Sequence, residues 1–325
     1  MSHSNSSLNC FAYCMKKYEH NYILHTPPCK PPSRDLRFGA MAHEVLDKAG
    51  KLRDCGSNEY TTIIPSEVLY NDLKLEYGIK NWQQYFVPVV KQIHKYEKEL
   101  VNDLIITNTG NVNIEREIKL QLTPEEIMKY LKVKTTEPLV GVIDLLLLTK
   151  THAIIIDYKF SKNRKNQDDF DLNSQLQLYA LLVHINYDIP LHNIKIGYID
   201  IPKQALDTPT VLSNGTLSRS KAQNITQEFY AQAVQAVHGD DPYYNCKQGG
   251  YYYDAWCNMA LNKPAYLNVQ YLDINTYEGV IEDITRILNV LEAYLSGEFD
   301  AMGKVDSYSC KSCEYLNNCK KWLEV

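Results

Sequence analysis

The chain has 325 residues, of which 45% are hydrophobic, so it can build one large core or two modest ones. Its net charge of −5 and pI near 6.0 exclude a surface coated in basic residues, so any nucleic acid must be met in a local groove. No apolar run reaches the roughly 18 residues of a membrane span, and MSHSNSSLNCFAYC lacks the pattern of a secretory signal, so a cytoplasmic protein is expected. Nine cysteines, an odd number, then point to thiols or metal ligands rather than a disulfide framework.

In chain order, Ser6 or Ser7 is expected to cap a helix starting near Leu8, with Leu8, Phe11, Met15, Tyr18 and Tyr22 on one face. Cys10 and Cys14 lie on that helix. A proline-marked loop spans Thr26 to Ser33, and Phe38 to Leu46 reads as the next helix. Residues 65–101 look helical throughout, with Phe86, Val89, Val90, Ile93 and Tyr96 among the apolar face. Asn111 to Leu122 alternates and reads as a strand, and Asn193 to Ile201 and Ala265 to Tyr271 read as further strands. Ser218 to Val237 is expected to be a polar helix, and Asp273 to Leu295 a long amphipathic one. Between them lies the densest patch of the chain's 25 tyrosines. Aromatics in such a stretch can stack bases. They can equally fill a small satellite core, which is the reading favoured here.

The most informative stretch is 141–179. Val140 to Leu148 is almost unbroken apolar, suiting a strand buried on both faces, yet it carries Asp144. Ala153 to Ile156 is a second apolar run and ends in Asp157-Tyr158-Lys159, where Asp157 and Lys159 share a face. Phe170 to Tyr187 is expected to be the following helix, with Gln175 and Tyr179 one turn apart. Two adjacent strands of this kind would bring two carboxylates and an ammonium to one end of a sheet.

The series Gly141-x-x-Asp144, Asp157-Tyr158-Lys159 and Gln175-x-x-x-Tyr179 resembles the core of PD-(D/E)XK nucleases of the RecB type. The resemblance implies Asp144 and Asp157 as ligands of Mg²⁺ or Mn²⁺, the Tyr158 backbone carbonyl as a further ligand, and Lys159 as the catalytic lysine. Gln175 and Tyr179 would line the same site. Gly39 to His43 has the form of the family's G-x-x-x-H element, which makes His43 a ligand, and an imidazole suits Mn²⁺. Glu117 corresponds to an acidic position before the first metal Asp; contact with the site and a solvated strand position are both open. The chemistry fits the residue types: hydrolysing a phosphodiester needs a hard cation with oxygen ligands and a donor for developing charge. Lys162, Arg164 and Lys165 follow the motif closely, as a solvated loop or where phosphates would pass.

Cys310-x-x-Cys313-x₅-Cys319 is a metal-binding spacing with one ligand missing. It is similar to the subset of these nucleases that includes AddB and the CRISPR-associated spacer-acquisition nucleases. In that subset a [4Fe–4S] cluster takes one cysteine before the core and three after it. Cys14 would supply the first, with Cys10 its competitor, and Zn²⁺ the rival occupant. Joining Cys14 to Cys310 would close a loop of about 300 residues, worth roughly 5–6 kcal/mol as an upper figure.

The fold expected is a restriction-endonuclease-like α/β core, a mixed sheet flanked by helices with helical insertions and a staple joining the two ends. One nuclease domain over 1–325 would comprise a helical insertion at 44–110, a catalytic core at 111–202, an insertion at 203–265 and a C-terminal helix with cysteines at 266–325. The resemblance implies a metal-dependent deoxyribonuclease, acting as an exonuclease on single strands or DNA ends in recombination, repair or phage DNA processing, beside a helicase or recombination partner. The rival readings are a catalytically silent nucleic-acid-binding module and a CRISPR spacer-acquisition nuclease.

Overall fold

The computed structural model describes residues 2–30, 34–57, 82–107, 111–161, 173–202, 209–220, 223, 225–260, 262–303, 310 and 313–319. A short strand, β1 (His3–Ser4), leads directly into helix α1 (Asn5–Tyr13). The cap is Ser4, not Ser6 or Ser7: its hydroxyl accepts the Ser7 N–H, and the Ser7 hydroxyl in turn accepts the Ser4 N–H at 2.8 Å. The expected continuous helix breaks at Cys14, whose backbone is extended, before α2 (Met15–Tyr18) and a turn of π-helix at Glu19–Ile23. The break re-aims the chain so that Tyr18 meets Phe11 edge-on at 5.3 Å.

Helices α3 (Arg34–Asp54) and α4 (Trp82–Thr107) follow, and then strand β2 (Asn113–Leu122). The expected helical stretch from residue 65 to 81 lies outside the described residues. Helix α5 (Pro124–Leu131) was not anticipated, although Thr123-Pro124-Glu125-Glu126 carries a full capping box with proline in the first turn. Strands β3 (Leu139–Leu148) and β4 (Ala153–Ser161) precede helix α6 (Ser174–Tyr187), which Asn173 caps by accepting the Leu176 N–H at 2.9 Å. Strand β5 (Ile194–Pro202) comes next. The helix expected from Ser218 forms only as α7 (Gln227–His238), because the Thr226 hydroxyl caps its start. Upstream, Val211 and Leu217 pair across a turn instead. Helix α8 (Tyr253–Met259), strand β6 (Tyr266–Tyr271), helix α9 (Ile274–Leu295) and helix α10 (Leu316–Cys319) complete the order.

The six strands form one mixed sheet in the order β1-β3-β4-β5-β6, with β2 also on β3. Helices α1, α5, α6 and α9 cover one face, where Leu146, Ile155, Leu182 and Leu288 are buried. Helices α3 and α4 cover the other, over Leu147, Ile156 and Ile199. This is the restriction-endonuclease-like arrangement expected, although four of the capping or breaking details differ from the sequence reading. The tyrosine-rich segment builds its own small core around Leu217, Tyr230, Val234 and Tyr252. Among the described residues, no helix is long and apolar enough to cross a membrane.

Beneath the α3/α4 face lies an ionic cluster. Glu97, only 3% exposed, accepts two hydrogen bonds from Arg116, both at 3.0 Å, and is also met by Arg53. Arg116 reaches Asp54 as well, at 2.8 Å, and the Tyr158 hydroxyl donates to Glu97 at 3.3 Å. Gly50 permits this approach, since a Cβ there would fall within 2.7 Å of three guanidinium atoms. Burial pushes the Glu97 carboxyl up to about 7, even with the Arg53 charge pulling it down. Removing one partner of such a buried cluster leaves the others uncompensated. Glu97→Ala should therefore lose about 3–5 kcal/mol in urea unfolding; a loss below about 1 kcal/mol would mean that the arginines are satisfied by water.

Candidate active site

Strand β3 has β2 along one whole edge, from Leu148 opposite Asn113 to Leu139 opposite Leu122. Its other edge is shared. Strand β4 takes Leu145 to Leu148, and β1 takes Leu139 and Val140. Between them, Gly141 to Asp144 faces a notch where β4 has diverged and β1 has not begun. The Asp144 carboxylate enters that notch, and its Oδ2 accepts the Tyr158 N–H at 2.7 Å. One register step past the last β3–β4 pair, Leu145 with Ile156, Asp157 stands opposite Asp144.

Opposite the fork, the β2 backbone is distorted at Glu117. Its φ is +46°, a left-handed value rare for a residue with a side chain. Across it, both strands change the face they present. Ile118, Leu120 and Ile143 join the α6 side, whereas Ile114, Leu145 and Leu147 join the α3/α4 side. The notch is thereby reached from both layers.

From α3, the His43 imidazole comes within 3.2 Å of Asp144 Oδ1 and lies edge-on to Phe160 at 5.2 Å. From α6, Gln175 Oε1 accepts the Lys159 ammonium at 2.8 Å, and its amide donates to the Tyr179 hydroxyl at 2.7 Å. Lys159 Nζ also stands 2.5 Å from Asp157 Oδ2, though off the direction of an aligned hydrogen bond. Gly141 makes room for this: a Cβ there would lie 2.6 Å from Leu182 and 2.8 Å from Tyr179. Thus Asp144, Asp157, Lys159, His43, Gln175 and Tyr179 come together. Tyr158 divides its groups: its ring packs on the α3/α4 side, while its N–H meets Asp144. Within a strand the N–H and C=O of one residue point to the same edge, so its carbonyl faces the notch too. Lys162, Arg164 and Lys165 lie outside the described residues.

The electrostatics are those of an over-negative pocket. Burial, foremost, and the Asp144 charge raise the Asp157 carboxyl to about 6, while Lys159 and His43 pull it back. Burial opposes the charged form of His43, but the Asp144 and Asp157 carboxylates more than offset it and its pKa is raised. A cation fits this donor set. Asp157 Oδ2 is buried with the Lys159 ammonium beside it, a second carboxylate stands opposite, and oxygen with imidazole nitrogen suits Mg²⁺ or Mn²⁺. Among the described residues, no three His, Cys, Asp or Glu side chains already stand as a closed ligand set.

Three nearby groups were missed by motif spacing. Asp200, 5% exposed, is the register partner of Lys159 on β5, and the Tyr198 ring lies 5.6 Å from the Lys159 ammonium. Alternation along β5 could have placed both on the Lys159 face. Asp47, one turn beyond His43, joins Asp144 in raising the Glu117 carboxyl, after burial itself. Glu117 itself is exposed, a solvated strand position near enough to these carboxylates to feel their charge.

The terminal cysteines are drawn to the N-terminal segment. Lys17 pairs with Glu314 at 3.0 Å, the Tyr315 hydroxyl donates to Asn21 at 3.0 Å, and the His20 and Tyr315 rings stack at 5.4 Å. Burial raises the Cys319 thiol, followed by Cys313, Cys14 and Cys310, so all four are near enough to influence one another. Cys10 is close too, its thiol pushed up to about 11 mainly by burial. Cys29, which had no place in the motif, donates its thiol to the Glu314 carbonyl at 2.7 Å.

A family model described as the PD-(D/E)XK nuclease superfamily matches residues 2–320, and the chain belongs to that superfamily. Among solved structures, a protein from Eubacterium rectale named as a candidate exonuclease is similar at a TM-score of 0.47 and 9% identity, covering 98% of this chain and 87% of that one. SSO0001 is similar at a TM-score of 0.25 and 14% identity, covering 85% and 93%. Neither TM-score reaches one half, so membership rests on the match over the chain's length. No curated protein matches the sequence.

The raised Asp157 pKa has a measurable sign. In metal-free protein the folded state holds the Asp157 proton up to about pH 6, against an ordinary aspartate value of 3.8. Between those values the folded state binds more protons than the unfolded one, so stability falls as pH rises through the window. Asp157→Asn should remove that slope and gain on the order of 2–3 kcal/mol at pH 7 in EDTA. Urea melts at several pH values read this out; an unchanged slope in the variant would assign the charge stress elsewhere.

Proposed function

We propose that the chain is a metal-dependent deoxyribonuclease, an exonuclease acting on single strands or DNA ends in recombination, repair or phage DNA processing. The observation that carries this reading is the pair Asp144 and Asp157, opposed across a sheet notch with the Lys159 ammonium 2.5 Å from one of them. Asp144, Asp157, His43 and the Tyr158 carbonyl would hold Mg²⁺ or Mn²⁺. When bound, the cation neutralises charge on the phosphate and acidifies a water.

The chain's own groups do the rest. Lys159, steadied by Gln175, presents an ammonium to the water and to the charge that develops on the phosphate. The Tyr179 hydroxyl accepts from the Gln175 amide nitrogen and so turns the amide oxygen toward Lys159. Asp144 does double service, since one oxygen fixes the Tyr158 amide while the other holds the His43 ring. Lys162, Arg164 and Lys165 would take the phosphates that pass beyond the motif.

For the terminal cysteines we infer a [4Fe–4S] staple on Cys14, Cys310, Cys313 and Cys319. The break in the first helix at Cys14 and the docking of Glu314 and Tyr315 onto residues 17–21 support it. A cross-link of this span acts mainly by restricting the unfolded chain.

Cleavage of labelled single-stranded DNA in Mn²⁺ should fall by about 10²–10³-fold in Lys159→Ala; equal rates would instead favour a catalytically silent binding module. Protein purified without oxygen should be brown and contain iron and sulfide, and Cys319→Ser should bleach it and lower its Tm. A colourless, zinc-loaded preparation that remains folded would give the four thiols to Zn²⁺.

A further inference from the structure

The segment between β5 and β6 is rooted beside the notch. In register, Lys159 lies next to Asp200, and Asp200 next to Tyr266. The segment departs after Pro202 and returns at Tyr266, so both of its roots flank the row that carries Lys159. The tyrosines it carries are sorted sharply by burial. Tyr230 and Tyr252 are fully enclosed in its small core. Tyr243 and Tyr251 are outside, 60% and 39% exposed, although a satellite core alone would gain nothing from exposing them.

These two rings stack on each other with centroids 5.7 Å apart and planes 26° from parallel. The exposed Arg219 guanidinium lies 4.5 Å from the Tyr251 ring. Arg219 also borders a surface cleft of about 560 Å³, walled by Tyr253, Asp254 and Asn258. The result is a short ladder of planar groups that ends in a cation beside an open space. The Tyr243 backbone is fixed by Asp241, whose carboxylate accepts its N–H at 2.9 Å. Behind the ladder, the His238 ring stacks on Tyr244 at 4.1 Å and meets the Tyr252 hydroxyl at 2.9 Å, so the platform has a rigid base.

We propose that Tyr243, Tyr251 and Arg219 form a stacking platform for the bases of single-stranded nucleic acid. This rests on the nuclease reading and adds a substrate-holding site to it. Every base has a π-face, so such a platform accepts strands of any sequence. A duplex, whose bases are already stacked on one another, gains nothing from it. Asp241 meets the Tyr243 N–H and Asp254 lines the cleft beside Arg219, so attraction for phosphates is weak here and stacking must carry the binding. A shallow salt dependence follows.

Binding is measured on the full chain in EDTA, by anisotropy of a fluorescent (dT)₂₀ strand and of the same strand paired with (dA)₂₀. The double substitution Tyr243→Ala with Tyr251→Ala should weaken the single strand by about 5- to 100-fold and leave the duplex unchanged. The corresponding double phenylalanine variant, which keeps the rings, should bind within about twofold of the parent. Tyr243→Ala alone, at a residue too exposed to hold the core together, should show part of the loss even if the double variant misfolds. Wild-type affinity in the alanine variants, or an equal loss for strand and duplex, would overturn the platform. Cleavage in Mn²⁺ is read separately: a wild-type protein that binds through these rings but never cuts would sink the nuclease reading and leave the platform standing.

Discussion

Strand β4 parts from β3 after Ile156, and from that point the Asp144 side chain takes the Tyr158 amide that a neighbouring backbone would otherwise hold. A charge-assisted bond of this kind is among the stronger ones a protein makes, and an amide left bare there would cost its full desolvation. The exchange of a backbone acceptor for a carboxylate lets the sheet open without losing a partner. It also fixes where the opening falls. Asp157 and Lys159 ride on the diverging strand, His43 leans in from one layer, and Gln175 with Tyr179 leans in from the other. Each of these placements would shift if the fork moved by a residue.

That arrangement leaves two acids facing each other in poor solvent. Burial and mutual repulsion raise the Asp157 carboxyl to about 6, so the two acids stress each other at neutral pH. Stress of this sort is common where a site is shaped for a charged visitor rather than for its own stability. The ionic cluster around Glu97 lies directly behind, holding the Tyr158 hydroxyl while Asp144 holds its amide. Tyr158 is therefore pinned from both sides, which limits how far its neighbours Asp157 and Lys159 can relax apart.

The sheet and the motif were legible because they obey short, strong rules. Val140 to Leu148 suits a buried strand, which it is except at the exposed Val142, and the even spacing of Asp157 and Lys159 and the one-turn spacing of Gln175 and Tyr179 each fix a shared face. What escaped was tertiary. Nothing local distinguishes Glu117 as left-handed; the conformation is imposed by the fork opposite it. Asp200 reads as an ordinary polar end of a strand until β5 is laid beside β4. The helix expected from Ser218 lost to a single cap at Thr226, and α5 was overlooked despite its capping box, because the apolar period of so short a helix is weak. The tyrosine patch was half right as core, since composition cannot say which rings turn inward.

The left-handed residue in β2 keys the pair of strands it belongs to. Strands of uniform alternation can slide past one another by two residues and still bury the same side chains. Here the change of face in β2 must meet the change of face in β3, so only one alignment lets both strands satisfy both layers. Sliding would also carry Arg116 away from Glu97 and lift Asp144 out of its opening. The mating of two irregularities thus works like the ward of a lock, admitting a single pairing of the strands before any ligand arrives.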